Sequence, residues 1–286
     1  MSAFILKLFA MAAMMIDHLG LVLLYCGSVE GQLYMLMRSV GRMAMPVFCF
    51  FIVVGLEKSS DRKKYLHRLC LFALLSQLPF SLAFDPAAYI APISAELSLG
   101  WAPFSPLQWL LFACTALGLV LFFGKSCFVP CAALFALFAR AELGGLRLLG
   151  EHGNVFYDLA LGLAAIWLAD AARKGSCKKT LLCAALVLAC ALLLIAPVGD
   201  YGWRALALIV PLYFCGESKW KRLGCVGLWC AAIYAGSFAL CLGALGSVCL
   251  LALYNGKKGP GLKYLFYGFY PVHLYVFYLM GRLAAG

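Results

Sequence analysis

The sequence predicts an all-α, polytopic membrane protein: one bundle of about ten or eleven transmembrane helices, with its N-terminus in the cytoplasm. Three observations carry this. The 286 residues are 65% hydrophobic and only 12% charged, whereas soluble domains run at about 45–50% apolar and about 25% charged. The apolar residues fall in runs of roughly 17–25, the length at which a helix crosses hydrocarbon. The cations cluster in short loops between those runs, which is a topology signal.

Candidate spans cover 3–25, 33–56, 66–84, 107–123, 127–139, 154–170, 180–198, 202–215, 223–253 and 263–284. The first begins almost at Met1 and lacks a small-residue cleavage site, so it is expected to remain as a transmembrane helix. The fifth and eighth are short. The ninth is too long for one simple span and reads as either a bent helix or a tight pair broken near Gly236-Ser237. The basic loops are Lys58 to Arg68, Arg173 to Lys179, Lys219 to Arg222, and Lys257 to Lys263. The positive-inside rule puts all four in the cytoplasm and the acidic stretches at Glu30, Asp85 to Glu96 and Asp200 outside. For the last basic loop to lie inside, 223–253 must cross twice, which favours eleven spans. Asp85 to Pro106, rich in proline, reads as an outer lid or loop.

The formal charge of +11 is accounted for by these loops, so the partner it implies is a lipid bilayer and not nucleic acid. The fourteen Cys are scattered through apolar segments with neither metal spacing nor a paired framework, so no metal is expected. No repeat or linker divides the chain, which reads as a single transmembrane domain, 1–286.

Against this background the polar residues inside spans stand out, because each is costly in hydrocarbon. Asp17 and His18 are adjacent in the first span. Counted from the outer ends at the helical rise, His18 lies about 11 Å deep, Arg38 about 8 Å, Arg42 about 14 Å and Gln77 about 10 Å. His273 in the last span can reach the same layer, and Tyr270 precedes it by three residues. Arg38 and Arg42 are four apart and share a helix face, so they can address one anion or the Asp17 carboxylate. Asp17 and His18 point about 100° apart, so they form no dyad, and the partner of His18 is expected on another helix. A buried His or Arg also serves as plain interhelical hydrogen bonding. Glu57 and Asp61 read as solvated partners of nearby cations, His67 as part of the same basic loop without a catalytic role, and His152 as interfacial.

Several stretches together resemble the TraX family, whose namesake N-acetylates the pilin of conjugative pili. They are Lys7 with Met15-Ile16-Asp17-His18, the run Arg38 to Phe48, Tyr65 to Leu69, and Ser76-Gln77-Leu78-Pro79-Phe80. Later come Asn154-Val155-Phe156, Asp200-Tyr201-Gly202, Tyr254-Asn255-Gly256-Lys257-Lys258-Gly259, and Phe266 to Leu274. Residues 86–150 read as an insertion in the family pattern carrying two extra spans, and Asp158 stands where that pattern resembles a threonine.

The resemblance implies a multi-pass acyltransferase of the plasma (inner) membrane. It would take acetyl from cytoplasmic acetyl-CoA and pass it to an amine or hydroxyl at or beyond the outer face. The acceptor stays open among a protein N-terminus, a glycan, a lipid head group and a small secreted molecule. His18 is then general base or transient acyl carrier, with Asp17 tuning it, Arg38 and Arg42 holding the thioester or acceptor, and His273 with Tyr270 closing the site. Gln77 belongs to the same layer. Lys257, Lys258, Arg62 and Lys63 are candidates for the CoA phosphates, although positive-inside placement already accounts for the lysines, and Asn255 lies in a turn whose backbone can approach a ligand closely. The same groups fit a proton-coupled or anion-binding transporter, disfavoured by the absence of matched broken-helix halves. They also fit a non-catalytic scaffold for surface assembly, which would tolerate His18→Ala.

Overall fold

Apolar runs this long have no water to satisfy their backbone, so helix is the form open to them. The computed structural model describes residues 1–85, 87–90, 97–101, 105–123, 128–143, 146–149, 152–173 and 200–285. The expected span 180–198, most of the basic loop 173–179 and the acidic end of the 85–96 stretch lie outside them. The helices are α1 (Ala3–Tyr25), α2 (Gly31–Gly41), α3 (Ala44–Lys58), α4 (Arg62–Phe84), α5 (Ala87–Ile90), α6 (Pro106–Phe123) and α7 (Phe128–Phe138). They continue as α8 (Val155–Arg173), α9 (Trp203–Phe214), α10 (Lys219–Ile233), α11 (Phe238–Ala252) and α12 (Lys263–Ala285). Three segments, Ala3–Tyr25, Gly31–Lys58 and Arg62–Phe84, are long and apolar enough to cross a membrane. The chain is a helical membrane protein.

One expected single span, 33–56, is divided, and the long 223–253 run is broken. At Arg42-Met43 the N–H of Arg42 bonds both Arg38 O and Ser39 O, and Met43 N bonds Val40 O, so the turn tightens before α3 restarts. Pro46, in the first turn of α3, needs no N–H partner there. The 223–253 run breaks at 234–237, where Ser237 caps α11 by accepting from Leu240 N. That break falls at the Gly236-Ser237 position.

The stretch 85–106 and the span at 127–139 depart from expectation. Leu97–Trp101 is a strand, β1, pairing antiparallel with β2 (Ala139–Leu143), which in turn pairs with β3 (Leu146–Leu149). α7 ends at Phe138, after eleven residues, about 16 Å and half a hydrocarbon core. The chain satisfies its backbone after it with a small sheet.

The chain divides into two compact units: Met1–Phe51 with Leu82–Ala91 and Pro211–Gly286, and Ile52–Ser81 with Pro92–Val210. In the first, α1 packs closely on α2, because a Cβ at Gly41 would overlap the Asp17 Cβ and Cγ. α2 meets α11 as closely: Ser39 Oγ donates to Ala239 O at 2.5 Å, and a Cβ at Gly243 would overlap the Ser39 carbonyl. Small residues at such crossings let helices approach where hydrophobic exclusion gives no drive.

Candidate functional site

The first unit brings six of the predicted residues together: Asp17, His18, Arg38, Arg42, Tyr270 and His273. Asp17, His18 and His273 are buried, at 6%, 7% and 6% exposure. Asp17 Oδ2 accepts from Arg38 Nη1 at 2.9 Å, and both Asp17 oxygens accept from Arg42 Nη2 at 3.0 Å. Arg42 Nε also donates to Arg38 O at 3.4 Å, and its side chain hydrogen-bonds the Tyr234 hydroxyl between α10 and α11. The two arginines thus converge on one carboxylate, as the four-residue spacing predicts. They are not equivalent: the Arg38 side chain is 24% exposed and that of Arg42 12%. Arg42 is the more fully enclosed and Arg38 the more accessible.

His18 turns away from this cluster, as neighbours in a helix must. Its Nδ1 lies 2.8 Å from His273 Nε2, and the rings are nearly parallel at 8°. His273 Nδ1 lies 2.9 Å from the carbonyl of Phe269. A carbonyl can only accept, so Nδ1 of His273 carries the proton. In the neutral pair His273 Nε2 is then an acceptor, and Nδ1 of His18 must donate to it. His18 Nε2 is left with its lone pair. The tautomer of the first imidazole is therefore set by a main-chain carbonyl on the last helix, through the second imidazole.

Aromatic rings hold this pair in place. Phe269 stacks on His273 at 4.5 Å, and Phe277 meets it edge-on at 5.6 Å. Tyr270 is edge-on to both imidazoles, at 5.5 Å from His273 and 6.1 Å from His18. Phe84 closes the other side of His18 at 5.0 Å. Phe84, the Phe269 carbonyl and Tyr234 were not singled out from the sequence. A buried aromatic carries no functional mark, and a carbonyl has no residue type to notice.

Asn255, Lys257 and Lys258 are in the same unit, on the loop after α11. Asn255 Oδ1 accepts from Lys257 N at 3.1 Å, and Gly256 has φ +77°, a backbone conformation that favours glycine.

The other candidates lie in the second unit. Gln77 is buried there with its amide fully used: Nε2 donates to His152 O at 2.8 Å and to Ser81 Oγ at 3.3 Å, while Oε1 accepts from Asn154 Nδ2 at 3.0 Å. Asn154 Nδ2 also donates to Ala73 O at 2.8 Å. Gln77 is thus a clamp between α4 and the entry to α8. Asp158 is fully buried and accepts from Tyr201 N at 2.8 Å, which ties α8 to the Asp200-Tyr201-Gly202 turn. Arg62 is paired with Asp170 at 2.5 Å, and exposed Lys63 lends its carbonyl to His67 Nδ1 at 2.9 Å. Among the described residues no group of His, Cys, Asp and Glu converges as a metal site.

Comparison with known proteins places this geometry in context. A family model described as TraX protein matches residues 2–100 and 111–281. The ten residues between the two matched stretches fall inside the segment 86–150. A curated relative, the "Probable fimbrial assembly protein FimC, serogroup H1" of Dichelobacter nodosus, is 28% identical over 96% of this chain and 93% of its own length. No solved structure matches.

Proposed function

The chain belongs to the TraX family, and on that premise we propose that it is an acetyltransferase of the plasma (inner) membrane. It crosses the bilayer many times with a cytoplasmic N-terminus and moves acetyl from cytoplasmic acetyl-CoA to an amine or hydroxyl at or beyond the outer face. A relative whose name is that of a fimbrial assembly protein favours a pilin subunit as the acceptor.

The observation that supports this best is the oriented His18–His273 pair beside the Asp17–Arg38–Arg42 cluster. Acyl transfer needs a base for the attacking group and fixed positive charge where the carbonyl oxygen becomes an oxyanion. His18 Nε2, with its lone pair, takes the proton as the acceptor nitrogen or oxygen bonds to the thioester carbon. The positive charge on the imidazole is shared through Nδ1–H with His273, whose own Nδ1–H donates to the Phe269 carbonyl. Arg38, pinned by one N–H to Asp17, offers its other N–H groups to the oxyanion. The carbon–sulfur bond then breaks and the leaving thiolate recovers the proton from His18, giving CoA and the acetylated acceptor. Asp17 and Arg42 position Arg38, and Lys257 and Lys258 meet the CoA phosphates.

The test is the purified protein in detergent with labelled acetyl-CoA, followed for CoA release and acetyl transfer in wild type and His18→Ala. Turnover by wild type and its loss in the variant supports the reading. Solute flux without acetyl-CoA turnover replaces it with transport, and function intact in His18→Ala with a scaffold.

A further inference from the structure

Lys7 is a basic side chain that the chemistry above leaves unused. It lies eleven residues before His18 on α1, which brings the two within about 20° on one helix face and about 16 Å apart along the axis. Met11 and Met14 occupy that face between them. The Lys7 ammonium sits 5.1 Å from the Phe51 ring and 5.4 Å from that of Phe266, and Lys258 is the neighbouring charge that acts on it.

The backbone around it is laced together. Ala3 N donates to Lys257 O at 2.9 Å, Phe4 N to Lys258 O at 3.1 Å, and Asn255 N to Met1 O at 3.0 Å; the Met1 ammonium donates to Leu253 O. Gly259 has φ +76°, and a Cβ there would sit 2.7 Å from Ser2 Oγ and 2.8 Å from Phe4 Cβ. The loop is held against the start of α1, with the cations of Lys7, Lys257 and Lys258 on one rigid frame. The ion pairs of the described residues include none of the three. Like charges gathered on one frame without an acid favour a polyanion as their partner.

We propose that Lys7, with Lys257 and Lys258, binds the phosphates at the nucleotide end of CoA, and that the pantetheine arm follows the Lys7–His18 face of α1. The extended arm has the length of that separation, and methionines give it an adaptable wall. The assignment rests on the acyltransferase reading for its donor. A phosphate could also come from an anionic lipid, and the test separates the two.

Full-length wild type, Lys7→Met, Lys7→Arg and Lys257→Gln/Lys258→Gln are purified in detergent and titrated with 3′,5′-ADP, which carries the phosphates without the thioester. Binding to wild type, weakened about tenfold in Lys7→Met and retained in Lys7→Arg, supports the site. The loop variant, whose substitutions are exposed, shows a loss of similar size if the frame acts as one. In turnover, Lys7→Met narrows the KM advantage of acetyl-CoA over S-acetylpantetheine. Equal 3′,5′-ADP affinity in wild type and Lys7→Met overturns the proposal, as does abolition of binding by phosphatidylglycerol added to the micelles. Lys7-dependent 3′,5′-ADP binding without acetyl transfer keeps the nucleotide site and removes the acyltransferase reading instead.

Discussion

His18 Nδ1 and His273 Nε2 stand 2.8 Å apart, joining the first helix to the last and fixing which nitrogen of His18 is basic. In the proposed reaction His273 can be replaced without removing the base, so its role is testable as positioning. His273→Ala frees the His18 ring to adopt either tautomer and should lower kcat about a hundredfold, with a smaller change in KM. His273→Gln, whose carbonyl can still accept from His18 Nδ1, should recover part of that loss. Equal kinetics for the two variants would show that the hydrogen bond, as distinct from the ring packing, does not matter.

Asp17 holds two guanidinium groups, and removing its charge leaves both partly buried and uncompensated. Asp17→Asn should therefore destabilise the protein by about 3 kcal/mol, read from denaturant unfolding in detergent. The arginines should separate stability from turnover. Arg42→Gln, the more enclosed, should cost more stability, and Arg38→Gln more turnover per folded molecule. The reverse order would exchange their roles.

Gly41 marks where α2 crosses α1 against Asp17. A methyl there must push the carboxylate or the helix aside, so Gly41→Ala should lower the melting temperature and cost about 1–3 kcal/mol. Gly243→Ala, which would press on the Ser39 carbonyl, tests the neighbouring crossing. If both variants melt as wild type does, these helices are looser than the geometry requires.

The helical fold is legible because composition and run length leave a membrane chain few choices, and Asp17, His18, Arg38, Arg42 and His273 stand out because polar groups inside a span are rare. Asp17 with Arg38 and Arg42 followed from the four-residue spacing. Depth along a helix, the only signal the sequence offers for Gln77, says nothing of its neighbours; its partner Asn154 lies 77 positions away. The strands at 97–101 and 139–143 were missed for a related reason. Strand pairing is non-local, and Leu97-Ser98-Leu99 is too short an alternation to announce it.

Asp61 sits between α3 and α4, where its carboxylate accepts from the Lys64 backbone N–H at 2.9 Å and pairs with Lys64 Nζ at 3.2 Å. The backbone hydrogen bond, then the Lys64 side chain, holds its pKa below the ordinary 3.8. A depressed carboxylate stabilises the fold at pH above its unfolded value, and that contribution fades as pH falls toward the folded one. Asp61→Asn should thus melt below wild type at about pH 7, and the gap should shrink as pH drops below about 4. A gap independent of pH would mean that the cap acts without its charge.

Gln77 and Asn154 spend their amides on each other and on the main chain, so truncating one strands buried donors and acceptors of the other. Each of Gln77→Ala and Asn154→Ala should cost about 1–3 kcal/mol. The double variant should cost clearly less than the sum, since the second truncation removes groups the first had already orphaned. A unit whose helices were joined only by apolar packing would give additive losses. Subadditive losses with the His18 chemistry intact per folded molecule would assign this pair to holding α4 against the entry of α8.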